Sequence, residues 1–288
     1  MVAAAPLGLL ARVILRRMFK RQTTGSVVCV SCGYLVGVND ERCYNCGRRN
    51  PGLWGYATAV RRLGNDMGFV PLVIGICGIA FLLSLLLSRG AIGGGSLFSI
   101  LSPSQYALIE MGASGRFPIL VMDRWWTVLS AVWLHGSLLH IVFNMYFIRM
   151  LAPSVGELYG PGRMVIIYTV AGVTGFIAST LFGVQLTVGA SGAIFGLLGA
   201  LVHYGRRTGS SHISSQAWSI AITNVIFGFL MAGVDNYAHI GGFIGGFLVA
   251  LALDPLKPER INHMAIALAC IVLSLLSIIA SIFVPIAL

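Results

Sequence analysis

Residues 188–196 read VGASGAIFG and place one serine, Ser191, among small residues at the start of a long apolar segment. Glycine and alanine at such positions let membrane helices pack closely. A serine in this setting is either another packing residue or a nucleophile, and its hydroxyl becomes strongly nucleophilic only beside a base. Whether a base can reach Ser191 depends on how the rest of the chain crosses the membrane.

The composition of the chain is typical of a membrane protein. Of its 288 residues, 57% are hydrophobic and 10% are charged, and the mean hydropathy is +0.88. About 20 apolar residues, each rising about 1.5 Å, cross a hydrocarbon core. The pattern predicts an all-α polytopic membrane protein with seven spans, which are residues 67–88, 127–149, 162–183, 190–205, 216–232, 237–254 and 263–286.

The basic residues predict how the chain is oriented. The net charge is +10, and ten of the 19 Lys and Arg residues lie within the first 62 positions. Basic residues favour the cytoplasmic ends of membrane spans. A cytoplasmic N-terminus leaves 16 of them inside and three outside, namely Arg89, Arg116 and Arg124. We therefore expect a multi-pass protein of the bacterial inner membrane with an external C-terminus, surrounded by lipid and without a nucleic-acid partner.

Two segments outside the spans are predicted to lie at the membrane surface. In MVAAAPLGLLARVILRRMFKR the charges follow the apolar part and no small-residue cleavage site is evident. Residues 1–25 therefore predict an amphipathic surface helix rather than a cleaved signal peptide. The connection over residues 89–126 is too apolar for a solvated linker, and we expect an interfacial helix after Pro103, with Trp125 and Trp126 in the aromatic belt.

The segment CVSCGYLVGVNDERCYNCG contains two Cys-x-x-Cys pairs. Each pair can supply two thiolates from a tight turn, and Gly33 and Gly47 suit the positive φ of such turns. Two disulfides or four free thiols are the alternatives, but disulfides rarely persist in the cytoplasm. We expect one structural zinc, with no open position for catalysis. Its ligands would be Cys29, Cys32, Cys43 and Cys46.

Polar side chains inside membrane spans are costly and mark candidate functional residues. They are His135, His140, Asn144, Ser191, Asn224, Asp235, Asn236 and His239. Ser191 begins a span that runs inward from the predicted external side, and His239 lies shortly after the start of another span that runs the same way. A serine–histidine pair can therefore form there, since histidine is the usual base near neutral pH. The alternative is that both residues only pack and that His239 bonds a backbone carbonyl.

Two further patterns support the serine–histidine pair. His140 and Asn144 are four residues apart and share a helix face, without a nearby acid that would complete a metal site. Small residues also follow both Ser191 and His239, which permits close approach of their helices. These include Gly192, Gly196, Gly242 and Gly246.

Together these motifs resemble the rhomboid intramembrane serine proteases. The resemblance rests on GASG around Ser191, on His135-x4-His140-x3-Asn144, and on Ala238-His239-x2-Gly242-x3-Gly246. It implies a six-helix rhomboid-like core plus one C-terminal transmembrane helix, with a small N-terminal zinc ribbon. The expected divisions are a basic segment (1–25), a cytoplasmic zinc-ribbon-like module (26–52), a linker (53–66), the six-span core (67–255) and a seventh span (256–288).

The resemblance also implies roles for single residues. Ser191 would be the nucleophile and His239 the general base and acid, and His140 and Asn144 would form an oxyanion hole with the backbone amide of Ser191. His135 would take part in the supporting hydrogen bonds of the external loop. Other supporting residues would be Phe195, Gly189, Gly192, Gly242 and Gly246, and Glu157, after the second span, matches a structural glutamate of the family.

Two positions depart from the family pattern. After Trp126 the family often has an arginine, whereas here Thr127 follows and Arg124 comes two residues earlier. Four residues after the serine the family often has a tyrosine on which the histidine stacks, and here Phe195 keeps the aromatic ring. We expect the first change to affect the loop and the second to preserve activity.

The expected activity is hydrolysis of peptide bonds in or near transmembrane segments of membrane proteins, without a catalytic cofactor. No acidic third member is expected, because Asp235 is predicted to be solvated in its loop. The alternative functions are a non-catalytic relative that binds membrane proteins in quality control, and a transporter or channel. A transporter needs a polar pathway across the membrane, whereas the polar residues here cluster on one side.

Overall fold

The structure is a computed structural model that describes residues 20–30, 32–95, 99–231 and 233–284. Most of the predicted surface helix over residues 1–25 lies outside the described residues. The chain divides into two compact units, Met1–Gly68 and Phe69–Leu288.

The first unit is built on a small antiparallel hairpin. Strands β1 (Ser26–Val28) and β2 (Leu35–Gly37) pair with Val27 opposite Val36. A short 3-10 turn at Leu53–Gly55 leads into helix α1 (Ala57–Arg61). The two central valines pack with two of the four cysteines, Cys29 and Cys43, in a core of their own. The cysteines are thus part of the scaffold of this unit.

The described part of the second unit contains seven helices of 17 to 23 residues, which fits the predicted polytopic fold. They are α2 (Phe69–Leu87), α5 (Leu138–Tyr159), α6 (Pro161–Leu181), α7 (Ser191–Thr208), α8 (Ser211–Leu230), α9 (Asn236–Ala252) and α10 (Ile261–Phe283). Five of them, α2, α5, α6, α8 and α10, are long and apolar enough to cross a membrane, and α9 is a shorter apolar helix.

The second long helix begins later than predicted. The expected span over residues 127–149 is replaced by α4 (Thr127–Ser130), a 3-10 turn at Ala131–Trp133, and then α5. Extended backbone at Leu134 interrupts the helix, and the Ser137 hydroxyl then caps α5 by accepting from the His140 N–H. The placement of Glu157 after this span was therefore wrong, because Glu157 lies in the last turns of α5.

Helix α9 lies between α6 and α7 and contacts both through glycines. A Cβ on Gly241 or Gly245 would overlap Ala178 or Thr174 of α6. On its other side, Cβ atoms on Gly242 and Gly246 would overlap the backbone of Gly192 and Gly196 in α7, respectively. Because the helix backbones are in direct contact at these glycines, larger residues would not fit there. The small residues near Ser191 and His239 therefore bring α7 and α9 into direct contact.

The segment between α2 and α5 is fastened to the last helix. Helix α3 (Gln105–Glu110) begins after its cap Ser104, as predicted for a helix after Pro103. The side chain of Arg124 is buried and donates to the carbonyls of Ile109 and Ser281. The Trp126 indole also donates to the Ser281 hydroxyl, over 3.1 Å. Arg124 thus attaches α10 to this connection.

Candidate active site and candidate metal centre

Ser191 is the first residue of α7 and is half-buried. It follows a turn in which Gly189 has a φ of 128°, a value that favours glycine. The first N–H groups of a helix have no partner within the helix, and they carry the positive end of its dipole. The hydroxyl of Ser191 therefore lies beside backbone donors that suit a negatively charged oxygen.

His239 lies in the first turn of α9, against the same end of α7. Its buried ring stacks on Phe195 with 4.2 Å between ring centroids and an interplanar angle of 8°. Phe195 is one helical turn after Ser191 and so shares its face. In addition, a Cβ on Gly192 would lie 3.1 Å from the carbonyl oxygen of Ala238. The structure thus brings together the helix turns that carry Ser191 and His239.

No hydrogen bond joins the Ser191 hydroxyl to the imidazole of His239 among the residues that the structure describes. Catalytic hydrogen bonds in substrate-free enzymes are often long and tighten when substrate binds. Ser191 and His239 both lie at the end where α7 and α9 are in contact.

The proton on the His239 ring can be assigned from its neighbour Asn236. The Asn236 Nδ2 donates to the carbonyl of Val225 over 3.1 Å. Its Oδ1 therefore faces Nδ1 of His239, at 3.3 Å. An amide oxygen only accepts, so Nδ1 carries the proton and Nε2 carries the free lone pair. The free lone pair of the His239 ring is thus on Nε2.

His140 has the opposite arrangement. The backbone N–H of Gly136 donates to Nδ1 of His140 over 3.3 Å, which leaves the ring proton on Nε2. A Cβ on Gly189 would lie 2.6 Å from that Nε2. The Nε2–H donor of His140 therefore lies directly against the turn that precedes Ser191.

Asn144 lies one turn after His140 on α5 and is buried. Its Nδ2 donates to the carbonyl of His140 over 2.8 Å. The amide group has two N–H donors, so one remains for another acceptor. His140 and Asn144 thus present two donors from one face of α5, as their spacing predicts.

His135 is fully buried, and its ring meets that of His140 edge to face with 5.2 Å between centroids. Within the described ranges neither of its ring nitrogens has a hydrogen-bond partner. Its ring thus packs against that of His140, and its part in the supporting hydrogen bonds of the loop stays a prediction.

Asp235 is not the solvated loop residue that we expected. One carboxylate oxygen accepts from the N–H of Ala238 over 3.0 Å and caps α9. The other accepts from the Ser179 hydroxyl on α6. The carboxylate therefore fixes the start of the helix that carries His239.

Asn236 is a site residue to which the sequence pattern assigned no role. From sequence it is one of several polar residues in the spans. Its spacing of three residues before His239 is the signal that connects the two, because residues three apart share a helix face.

The four cysteines of the first unit converge on one point. Their sulfur atoms all lie within 4.8 Å of one another. The Sγ–Sγ distances are 3.8 Å for Cys29–Cys46 and 3.6 Å for Cys32–Cys43, which cross between the two Cys-x-x-Cys pairs. A tetrahedral zinc with Zn–S bonds of about 2.3 Å requires sulfurs about 3.8 Å apart. The cluster therefore fits a four-sulfur metal site.

The turns that form this cluster have the predicted geometry. Gly33 has a φ of 77° and Gly47 a φ of 70°. Each donates its N–H to the backbone carbonyl of the first cysteine of its pair. Gly33 donates to the Cys29 carbonyl over 3.0 Å, and Gly47 donates to the Cys43 carbonyl over 2.9 Å. Equivalent turns thus present the two pairs of sulfurs.

The protonation of the exposed thiols reflects their crowding. A hydrogen bond with the backbone of Tyr34 lowers the pKa of the Cys32 thiol to about 6. At Cys46 a backbone hydrogen bond with Arg48 lowers the pKa, but desolvation and the neighbouring thiols outweigh it and raise the pKa to about 12. One thiolate thus disfavours a second in the same cluster, and a bound cation would relieve this repulsion.

Comparison with known proteins identifies the part of the chain that contains helices α4 to α9. Residues 122–255 match the family model of the rhomboid domain. The chain is 39% identical over 155 residues to rhomboid protease GluP of Bacillus subtilis (strain 168), which is 53% of this chain and 30% of that protein. It is 35% identical over 160 residues to RHOMBOID-like protein 7 of Arabidopsis thaliana, covering 54% of this chain and 51% of the relative.

A third relative is Rhomboid-like protease 5 of Toxoplasma gondii, 33% identical over 163 residues, with 52% of this chain and 19% of the relative covered. The matched segment thus spans about half or less of the length of these three proteins. Ser191, His239, His140 and Asn144 all lie inside the range matched by the family model. Residues 122–255 of this chain are therefore a rhomboid domain.

Proposed function

We propose that this chain is an intramembrane serine endopeptidase in which Ser191 and His239 form the catalytic dyad. The observation that carries the proposal is the pair of contacts made by two histidines near one serine: Nδ1 of His239 faces Oδ1 of Asn236, and Nδ1 of His140 accepts from the N–H of Gly136. His239 offers a lone pair at Nε2, and His140 offers an N–H at Nε2. A base and an oxyanion donor are the two partners that a serine nucleophile requires.

The proposed reaction is acyl transfer followed by hydrolysis. Nε2 of His239 takes the proton of the Ser191 hydroxyl as Oγ attacks the peptide carbonyl. The oxyanion then accepts from Nε2–H of His140, from the free N–H of Asn144 and from the backbone N–H of Ser191. His239 returns the proton to the leaving amine, the acyl-enzyme remains, and water activated by the same ring hydrolyses it. This scheme uses no cofactor.

We infer that the substrates are membrane proteins cleaved in or near their transmembrane segments. The site is built from the ends of apolar helices, where a substrate helix must lose backbone hydrogen bonds before its carbonyls become accessible. Water must also enter, so the site opens to one side of the membrane. With a cytoplasmic N-terminus this is the external side of a bacterial inner membrane. The relative named as a rhomboid protease supports this class of activity.

We also propose that Cys29, Cys32, Cys43 and Cys46 bind one structural zinc. The sulfur spacing fits tetrahedral coordination, as described above. Four protein ligands complete that coordination and leave no position for substrate or water. The role assigned to the metal is therefore to stabilise the fold of the first unit.

The dyad is tested by labelling the purified full chain in detergent with a fluorophosphonate probe. Wild type should be labelled and Ser191→Ala should not. Ser274→Ala is a matched control, because Ser274 is a buried serine of α10; it should be labelled like wild type. Equal labelling of wild type and Ser191→Ala, or no labelling of a folded wild type, would contradict the proposed protease activity. Either result would favour a non-catalytic binding protein.

A further inference from the structure

We propose that Asn236 is a positioning residue that keeps the proton of His239 on Nδ1 and ties the ring to α8. The proposal rests on the proposed roles of Ser191 and His239 and adds a third residue behind the base. It acts through the imidazole and makes no contact with the substrate.

The surroundings of Asn236 allow only one orientation of its amide. The residue is 8% exposed, and His239 is 7% exposed. Nδ2 donates to the carbonyl of Val225 in α8. If the amide were turned over, its oxygen would face that carbonyl and its NH2 group would face Nδ1 of His239. The hydrogen bond to Val225 would then be lost, and the one to His239 would form only if the ring proton moved to Nε2.

Gly228 of α8 closes the other side of this amide. A Cβ on Gly228 would overlap Oδ1 of Asn236. The amide is therefore in contact with α8 at two positions, Val225 and Gly228. Only 17% of the most apolar stretch of α8 is buried inside the protein, which is the lowest share among the five long apolar helices of the described chain. This contact joins the C-terminal part of α8 to the first turn of α9, which carries His239.

Asn236 orients the base without adding a charge. Two other titratable groups face His239, namely Asp235 at the start of its own helix and His140 of α5. Both carboxylate oxygens of Asp235 are used by Ala238 and Ser179. Phe195 and Ser179, which α7 and α6 contribute nearby, do not titrate near neutral pH. Asn236 is thus the hydrogen-bond partner of Nδ1, and it is neutral at every pH.

The test compares rates of fluorophosphonate labelling against pH for the full chain in detergent. Asn236→Ala should label about tenfold more slowly, because one neutral hydrogen bond that selects the active tautomer is removed. Asn236→Asp should recover labelling at high pH. The acidic limb of the pH–rate profile of Asn236→Asp should move to higher pH, because a carboxylate beside Nδ1 stabilises the imidazolium and raises the pKa of the ring. Asn224→Ala removes a matched amide that bonds only within α8, to Ile220, and should label normally.

A purely structural role would reduce the amount of folded Asn236→Asp without moving the pH midpoint, and that result would overturn the proposal. Wild-type labelling rates in folded Asn236→Ala would do the same. Failure of wild type to label overturns the proposed function itself and is thus distinguishable. If the variants do not fold, 15N NMR of histidine-labelled wild type decides, with His239→Ala used to assign the signal. Nδ1 should be protonated at neutral pH, and an unprotonated Nδ1 contradicts the proposal.

Discussion

The cysteine cluster and the Ser191–His239 site bring four polar side chains together by opposite means. In the cluster, two similar turns 14 residues apart place all the sulfurs, and the distances follow from backbone geometry within each turn. In the helical site, the side chains come from α5, α7 and α9, and they are placed by the backbone contact of α7 with α9 and by the packing of the His140 side chain against Gly189. Local spacing therefore specifies the first arrangement, and packing between distant segments specifies the second.

Metal removal is expected to have the largest effect. The purified protein should contain about one zinc per chain, and Cys29→Ser should contain none. The effect is large because zinc binding contributes about 10–16 kcal/mol to the folding of small domains with four metal ligands. Metal content by mass spectrometry measures this. Cys270→Ser, a half-buried cysteine of α10, is the control and should keep its zinc.

The same cysteine variant tests whether the metal is structural only. We expect Cys29→Ser to retain fluorophosphonate labelling at Ser191, because a site with four protein ligands has no role in the reaction. Loss of labelling in a protein whose helices remain folded would show that the two regions are not independent.

Loss of an oxyanion donor ranks second. Asn144→Ala removes one of the donors that α5 presents, and such a loss raises the barrier by about 2.7–4 kcal/mol in well-studied hydrolases. We expect the rate of labelling to fall by about 10²–10³ while the protein stays folded. Asn224→Ala again serves as the matched amide control. A wild-type rate in Asn144→Ala would remove this residue from the proposed oxyanion hole.

The glycine contact between α7 and α9 ranks third. In Gly242→Ala the added Cβ would overlap the Gly192 carbonyl, a backbone group that cannot rotate away. Overpacking of this kind costs about 1–3 kcal/mol. The loss should appear in thermal unfolding in detergent, together with slower labelling.

Gly78→Ala is the matched control for this helix contact. Apart from its chain neighbours and the backbone of its own helix, no atom lies within 4 Å of a Cβ at Gly78, which is also a glycine within a membrane helix. We expect stability equal to wild type or slightly higher, because alanine is the better helix former. Equal effects of the two substitutions would mean that the α7–α9 contact is not special.

The sequence predicted best what depends on spacing. The two Cys-x-x-Cys pairs form the four-sulfur cluster that their spacing indicates. Helix α5 presents His140 and Asn144 on one face, as their spacing of four residues predicts. The small residues around Ser191 and His239 correctly predicted that their helices meet. Each of these features follows from a repeat within one segment or from the size of a side chain.

What the sequence did not predict depends on contacts between distant segments. The hydrogen bonds of Asp235 to Ser179 and of Arg124 to Ser281 join residues 56 and 157 positions apart. Arg124 counts as an external charge in a charge-based topology, yet its side chain is buried in carbonyl contacts. The start of α5 was missed because a single cap, Ser137, and one extended residue outweigh a continuous apolar pattern. A pattern within one segment cannot reveal hydrogen bonds to residues so far away in the chain.

The stacking of His239 on Phe195 should give the smallest effect and shows how finely packing sets the site. A stacked aromatic pair contributes about 0.5–1.5 kcal/mol beyond its buried area. Phe195→Leu should therefore label roughly 2- to 12-fold more slowly than wild type, and Phe195→Tyr should label at the wild-type rate. Phe182→Leu removes another stacked pair, Phe182–Tyr237 with centroids 4.7 Å apart, and it leaves the His239 ring untouched. If Phe182→Leu slowed labelling as much as Phe195→Leu, the effect would come from general helix stability, whereas a selective effect of Phe195→Leu would mean that the aromatic face itself orients the base.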